Sequence, residues 1–226
     1  MKKIMAALCL MAGLLSKVSA QNVSQKLDEL MSAYAKNKEF NGTVLVAQQG
    51  KILLEKGYGF QNLEKQLNNT PFTLYPIASI TKTFTATLIL KLAERKQLSV
   101  QDKLSKYFPY YPKGDSITIE NLLTHTSGIF NYTEDNDFMY NESGKHATEQ
   151  RILSLFKDKP LDFSPGTGWN YSNSGYGLLG YIIEKVTQMS YYSAVRKYLF
   201  EPAGMVNSGF DFVGLPTGRK ATGYYS

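Results

Sequence analysis

The chain has 226 residues, a formal charge of +6, two histidines and a single cysteine. One cysteine cannot close an internal disulfide or build a thiolate metal cluster. His125 and His146 lack any His-Glu-x-x-His spacing, so no metal is expected. The basic residues are scattered rather than gathered into a patch, which argues against a nucleic-acid partner.

The chain opens with Met1-Lys2-Lys3, an apolar run from Ile4 to Leu15, and the small-residue end Val18-Ser19-Ala20. A basic start, a short apolar middle and a small-residue boundary predict a signal peptide over residues 1–20, cleaved before Gln21. That run is too short to span a bilayer, and no later one is long enough. The mature chain, 21–226, is therefore expected to be a soluble periplasmic or secreted protein. Losing Lys2, Lys3 and Lys17 with the leader lowers the formal charge from +6 to +3, and Cys9 goes with it.

Leu27, Leu30, Met31 and Tyr34 recur at helical spacing, which predicts an amphipathic helix over Ser24 to Lys38 with Ser24 as its cap. Thr43 to Ala47 and Ile52 to Leu54 flank Gln48-Gln49-Gly50-Lys51, a hairpin with glycine free to take positive φ. A lone hairpin is marginal, so further strands are expected to complete its sheet. From Ile77 to about Lys96 the chain is apolar or small on nearly every side, which predicts a core helix. An irregular connector follows through Pro112. Thr118 then caps a short helix that breaks at His125-Thr126-Ser127-Gly128. Residues 131–145 read as a polar, aromatic loop, and 147–157 as a surface helix. Ser164-Pro165-Gly166-Thr167-Gly168-Trp169 predicts a rigid turn delivering Asn170-Tyr171-Ser172-Asn173. The next helix carries Leu179, Ile182, Ile183 and Val186 on one face, thinned by Gly175, Gly177 and Gly180 for close packing. A last helix, Ser190 to Phe200, stops at Pro202 and Gly204.

Ser79 and Lys82 stand one turn apart at the mouth of the Ile77 helix, on one face. An ammonium in a poorly solvated site is biased toward its neutral amine, which can accept a serine proton. A second Ser-x-x-Lys, Ser154 to Lys157, lies on the surface helix and reads as coincidence. Tyr171-x-Asn173 is the sole Tyr-x-Asn among the sixteen tyrosines. Read singly, Tyr171 packs and Asn173 caps a helix; read beside Ser79 and Lys82, the pair belongs to one site.

Together these residues resemble the penicillin-recognising serine hydrolases, most closely the branch holding class C β-lactamases and related DD-peptidases and esterases. The resemblance runs from Asn41 to about Gly209. It rests on the hairpin with Gly57-Tyr58-Gly59, on Ser79-Ile80-Thr81-Lys82, and on Asp102-Lys103-Leu104-Ser105-Lys106-Tyr107-Phe108-Pro109. Leu122-Leu123-Thr124-His125-Thr126-Ser127-Gly128-Ile129 and Pro165-Gly166 through Tyr171-Ser172-Asn173 complete it. The class A pattern is disfavoured, because Tyr-Ser-Asn replaces its Ser-Asp-Asn.

The resemblance implies an α/β (α+β) fold of the β-lactamase/transpeptidase type, an antiparallel sheet flanked by helices plus an all-helical region. It makes Ser79 the acylated nucleophile, Lys82 its electrostatic partner and Tyr171 the base. Asn173 would orient Lys82 and bind the substrate carbonyl, and the Ser79 N–H would be one oxyanion donor. No cofactor is implied; the partner is a small-molecule or peptide substrate (β-lactam, D-peptide or ester). A Ser-His-Asp site at His125 is rejected, since no Gly-x-Ser-x-Gly elbow occurs. That leaves His125 a structural role, and His146 reads as solvated.

The family's third motif, Lys-Thr-Gly or His-x-Gly on a late strand, has no counterpart: Pro216-Thr217-Gly218-Arg219 lacks the leading basic residue. The domain is therefore expected to be incomplete at its C-terminus, with its last strands missing. The alternative reading is a non-catalytic relative that binds peptidoglycan-like ligands or a partner.

Overall fold

The computed structural model of the chain describes residues 23–136, 138, 148–210 and 217–224. The leader, Cys9, His146 and Pro216 lie outside them. The described chain falls into two compact units, one formed by residues up to Pro76 with the C-terminal segment, the other by Ile77–Phe210.

In the first unit a helix over 23–36 (α1) precedes strands β1 (Gly42–Gln48) and β2 (Lys51–Tyr58), paired antiparallel. Gln49 and Gly50 join them with φ of 49° and 75°. Positive φ at both central residues matches the twist of a two-residue hairpin turn. The expected cap fails: Ser24 lies inside α1, and its hydroxyl donates to the Leu53 carbonyl at 2.5 Å. Nor is the predicted apolar face fully covered, for Leu27 and Met31 are half-buried while Leu30 and Tyr34 are exposed. What ties α1 to the hairpin is polar. The Asp28 carboxylate accepts from Lys56 Nζ at 2.8 Å and from the Tyr58 hydroxyl at 2.8 Å.

Strands β3 (Phe60–Asn62) and β4 (Leu67–Asn68) form a second small ladder. Glycine at 57 is required by a close approach, since a Cβ there would lie 2.2 Å from the Asn69 carbonyl oxygen. The C-terminal segment returns to this unit. Leu74 N–H donates to the Arg219 carbonyl (2.7 Å), Ala221 N–H to the Leu74 carbonyl (2.9 Å), and Thr222 N–H to the Gln61 carbonyl (2.8 Å). Sequence reasoning, which looked there only for a catalytic motif, missed this pairing.

The second unit is helical. A 3₁₀ turn, Ala78–Ile80, leads into α2 (Thr81–Glu94). Then come α3 (Ile119–Leu123), α4 (Glu149–Ser154), α5 (Asn173–Thr187) and α6 (Tyr191–Val195), the last continuing as a π-helical turn, Arg196–Phe200. Leu88, Ile89 and Leu92 of α2 share a fully buried core with Ile119 and Leu122 of α3 and Leu178, Leu179, Ile182 and Ile183 of α5. Each such side chain contributes about 1.5–3 kcal/mol of burial free energy. The expectation that α2 is buried on nearly every side is corrected: Thr83, Thr87 and Leu90 are exposed. The idea that the α5 glycines serve close packing is corrected too. A Cβ at Gly175, Gly177 or Gly180 would meet nothing nearer than 3.7 Å, an ordinary contact.

The connector before α3 is better ordered than its composition suggests. One Asp102 carboxylate oxygen accepts from the Ser99 N–H, Lys106 Nζ and the Tyr107 hydroxyl at 2.9, 2.7 and 2.7 Å. Thr118 caps α3 as expected, in a reciprocal box with Asn121.

Candidate active site

Ser79 sits in the 3₁₀ turn that opens α2, exposed, with Lys82 one turn further on. Ala78 before it takes φ of 43°. That is left-handed backbone an L-residue adopts at a cost of order 1–3 kcal/mol, and such strain gathers at functional sites. The Ser79 amide belongs to the first turn, where N–H groups have no partner inside the helix and can face a ligand.

Tyr171 and Asn173 are placed by backbone lacing between two loops. Asn170 N–H donates to the His125 carbonyl (3.0 Å), Gly166 N–H to the Thr126 carbonyl (2.8 Å) and Asp162 N–H to the Gly128 carbonyl (2.8 Å). Gly128 has φ of 71°, and a Cβ there would fall 2.1 Å from the Phe163 carbonyl oxygen, so only glycine fits. Ser172, not Asn173, caps α5: its hydroxyl accepts from Gly175 N–H at 3.1 Å. Asn173 is thereby released from capping and turned inward.

The Tyr171 hydroxyl donates to Ser79 Oγ at 2.8 Å. Lys82 Nζ lies 3.4 Å from Ser79 Oγ and 2.6 Å from Asn173 Oδ1. The same ammonium stands 4.7 Å from the centre of the Tyr171 ring and 5.5 Å from that of Tyr176, within cation–π range. All four residues singled out in the sequence thus converge. The Ser154 pair does not: the Ser154 hydroxyl donates to the Arg151 carbonyl (2.7 Å), and Lys157 faces Asp158 at 3.5 Å.

Electrostatics separate the two ring systems. Burial opposes ionisation of Tyr171, but its hydrogen bonds with Lys82 and Ser79 and the Lys82 charge outweigh it, holding the phenol below its ordinary value. Burial, with the Lys82 charge behind it, holds His125 below the usual imidazole value. His125 takes φ of 60°, packs against Tyr171 and Tyr176 at 4.7 and 5.0 Å, and its Nδ1 accepts the Ser172 N–H at 3.1 Å. The imidazole is a support for the Tyr171 turn and makes no hydrogen bond to Ser79.

Two residues escaped the sequence reading. Asn131 Oδ1 accepts the Asn173 N–H (3.0 Å), and Thr133 Oγ1 accepts from Asn173 Nδ2 (2.8 Å). These contacts fix the amide so that its oxygen faces Lys82. Their only local signal was polarity just after the Ser127-Gly128 turn. Among the described residues no group of acidic, histidine or cysteine side chains could hold a metal ion.

The family model described as Beta-lactamase matches residues 25–226. PbpX of Bacillus subtilis (strain 168) is 34% identical over 183 residues, covering 81% of this chain and 44% of that protein. The crystal structure of a penicillin binding protein from Bacillus halodurans superposes with a TM-score of 0.75 at 32% identity, over 85% of this chain and 59% of that one. A class C beta lactamase structure gives a TM-score of 0.70 at 28% identity, over 83% and 51%. The fold is therefore of the β-lactamase/transpeptidase type, and the chain spans less than half the length of the curated relatives it matches.

Proposed function

The chain belongs to the Beta-lactamase family, and from that premise we propose that it is an exported serine hydrolase cleaving an amide or ester through an acyl-enzyme on Ser79. The observation that carries this reading is the pair of contacts on Ser79 Oγ, from the Tyr171 hydroxyl at 2.8 Å and from Lys82 Nζ at 3.4 Å. A phenol held below its ordinary value gives up its own proton more readily than a free tyrosine, which suits its oxygen to the role of base. As a phenolate, Tyr171 takes the Ser79 proton while Oγ attacks the substrate carbonyl, and then passes that proton to the departing amine or alkoxide. Lys82 stabilises the phenolate by its charge. Asn173 anchors Lys82 through Oδ1, and in this reading its amide binds the substrate carbonyl. The Ser79 N–H supplies one oxyanion contact. Water then repeats the sequence on the acyl-enzyme, with Tyr171 as base again.

Substrates of this class include β-lactams, D-peptides and esters. Incubation with a fluorescent penicillin, followed by denaturing electrophoresis, tests the reading. Parent protein should carry the label, Ser79→Ala should carry none, and Ser154→Ala should match the parent. Label that survives Ser79→Ala would overturn the assignment of the nucleophile. Absence of label and of Ser79-dependent ester turnover in the parent would favour the non-catalytic reading. Export is tested by intact mass of the secreted protein, which should begin at Gln21.

A further inference from the structure

Ser79, Lys82 and Asn173 form one end of a pocket of about 440 Å³ that runs between α2 and α5, wholly within the helical unit. The far end is built from Tyr181 and Glu184 of α5 with Tyr191 of α6. Asn173 and Glu184 are eleven residues apart on one helix, about 16 Å at 1.5 Å per residue. The pocket is therefore long enough for a substituent reaching well past the scissile carbonyl.

Its far end has a definite chemistry. Two tyrosine rings, Tyr181 and Tyr191, line it, while Tyr176 stands nearer Lys82. The Tyr191 hydroxyl is tied to Thr85 Oγ1 at 2.6 Å, which links α6 to α2 there. Glu184 Oε1 accepts the Tyr191 N–H at 2.8 Å, so the carboxylate is fixed in place. Among the described residues no Lys, Arg or His pairs with Glu184, whereas Lys185 beside it is engaged by Glu149 at 2.9 Å. A held carboxylate among electron-rich ring faces recognises an alkylammonium, by charge and by cation–π attraction together. Gly180 keeps the α5 wall low opposite Tyr191, since a Cβ there would stand 3.8 Å from the Tyr191 ring.

We propose that this pocket is an acyl-side subsite for substrates whose acyl chain ends in a primary amine, with the ammonium held at Glu184. The inference rests on the reading of Ser79 as nucleophile only for which side of the scissile bond occupies the pocket. Lys82, the cation at the opposite end, is held by Asn173 and sets the polarity: the carbonyl lies at its end, the second ammonium away from it.

Equilibrium binding of 6-aminohexanamide and hexanamide, measured by calorimetry on the whole chain, tests the subsite without turnover. The amine should bind up to about fivefold more tightly than its neutral analogue, the size of one partly exposed charge pair. Glu184→Gln keeps an acceptor for the Tyr191 N–H and should abolish that preference while leaving hexanamide unchanged. Gly180→Val should weaken both ligands alike by filling the groove. Equal affinity of the two amides, or a preference that persists in Glu184→Gln, overturns the proposal. A chain that shows the amine preference but forms no acyl-enzyme keeps the subsite and loses the hydrolase reading. Ser79-dependent ester turnover with no amine preference does the reverse.

Discussion

Ser79, Lys82, Tyr171 and Asn173 divide the labour at the site by the atoms they present. In the proposed reaction Tyr171 receives the Ser79 proton and returns it, so Tyr171→Phe tests that role with the ring left in place. Acylation should slow by about 10²–10⁴-fold, the range for loss of a general base, measured as the single-turnover rate of labelling. A parental rate would leave Lys82 as the base. His125 makes a different prediction. The unfolded chain protonates near 6.5, while the folded imidazole, desolvated and facing Lys82, resists until lower pH. Unfolded chain thus binds the extra proton first, and stability rises with pH in that window. The His125 contribution is present in full above about 6.5 and is lost as pH falls from there through the depressed value. Melting temperature should drop over that interval. His125→Asn, which tolerates positive φ and does not titrate, should melt lower than the parent at neutral pH but lose the His125-dependent slope.

At the scale of elements, side-chain caps mark where α3, α4, α5 and α6 begin. Thr118 and Asn121 exchange hydrogen bonds at the start of α3, whose Leu122 is buried in the core shared with α2 and α5. Thr118→Ala should cost about 1 kcal/mol of stability, read from urea unfolding, with little effect on labelling of Ser79. Ser172 is a cap with more at stake. Besides receiving Gly175 N–H, it is 3% exposed, and its own N–H ends on His125 Nδ1. Ser172→Ala should therefore cost a similar amount and also slow acylation, because Tyr171 and Asn173 flank it. The connector held by Asp102 behaves as an element of its own. Lys106 and Tyr107 outweigh the desolvation of that carboxylate and lower its pKa. Its stabilisation is present above the ordinary value of 3.8 and fades as pH falls through the lowered one.

For the whole molecule, each of the two units has its own long-range ties. Residues 219–222 hydrogen-bond Leu74 and Gln61, more than 140 positions away in the chain. Deleting 217–226 should release the Leu74 amide, read by hydrogen exchange as faster exchange there, with protection in the α2 and α5 core retained. Equal protection at Leu74 in both forms would count against this pairing in solution.

How much of this was legible beforehand depended on how local each determinant is. Ser79 with Lys82 could be read directly, because three residues make one helical turn and the shared face follows from geometry. Tyr171 and Asn173 followed from a rigid Pro-Gly turn, and the α3 cap from a threonine before an apolar run. The ends and faces of α1 and α2 were read less well. Apolar spacing states which side can be buried, while neighbours decide which side is, and Leu30, Tyr34 and Leu90 remain exposed. The convergence of Ser79 with a tyrosine 92 positions away, the inward turn of Asn173 by Asn131 and Thr133, and the return of residues 219–222 to Leu74 were decided only in the folded chain. Those contacts carry no local periodicity; each joins segments far apart in sequence, so it exists only once packing and the pairing of polar groups have brought them together.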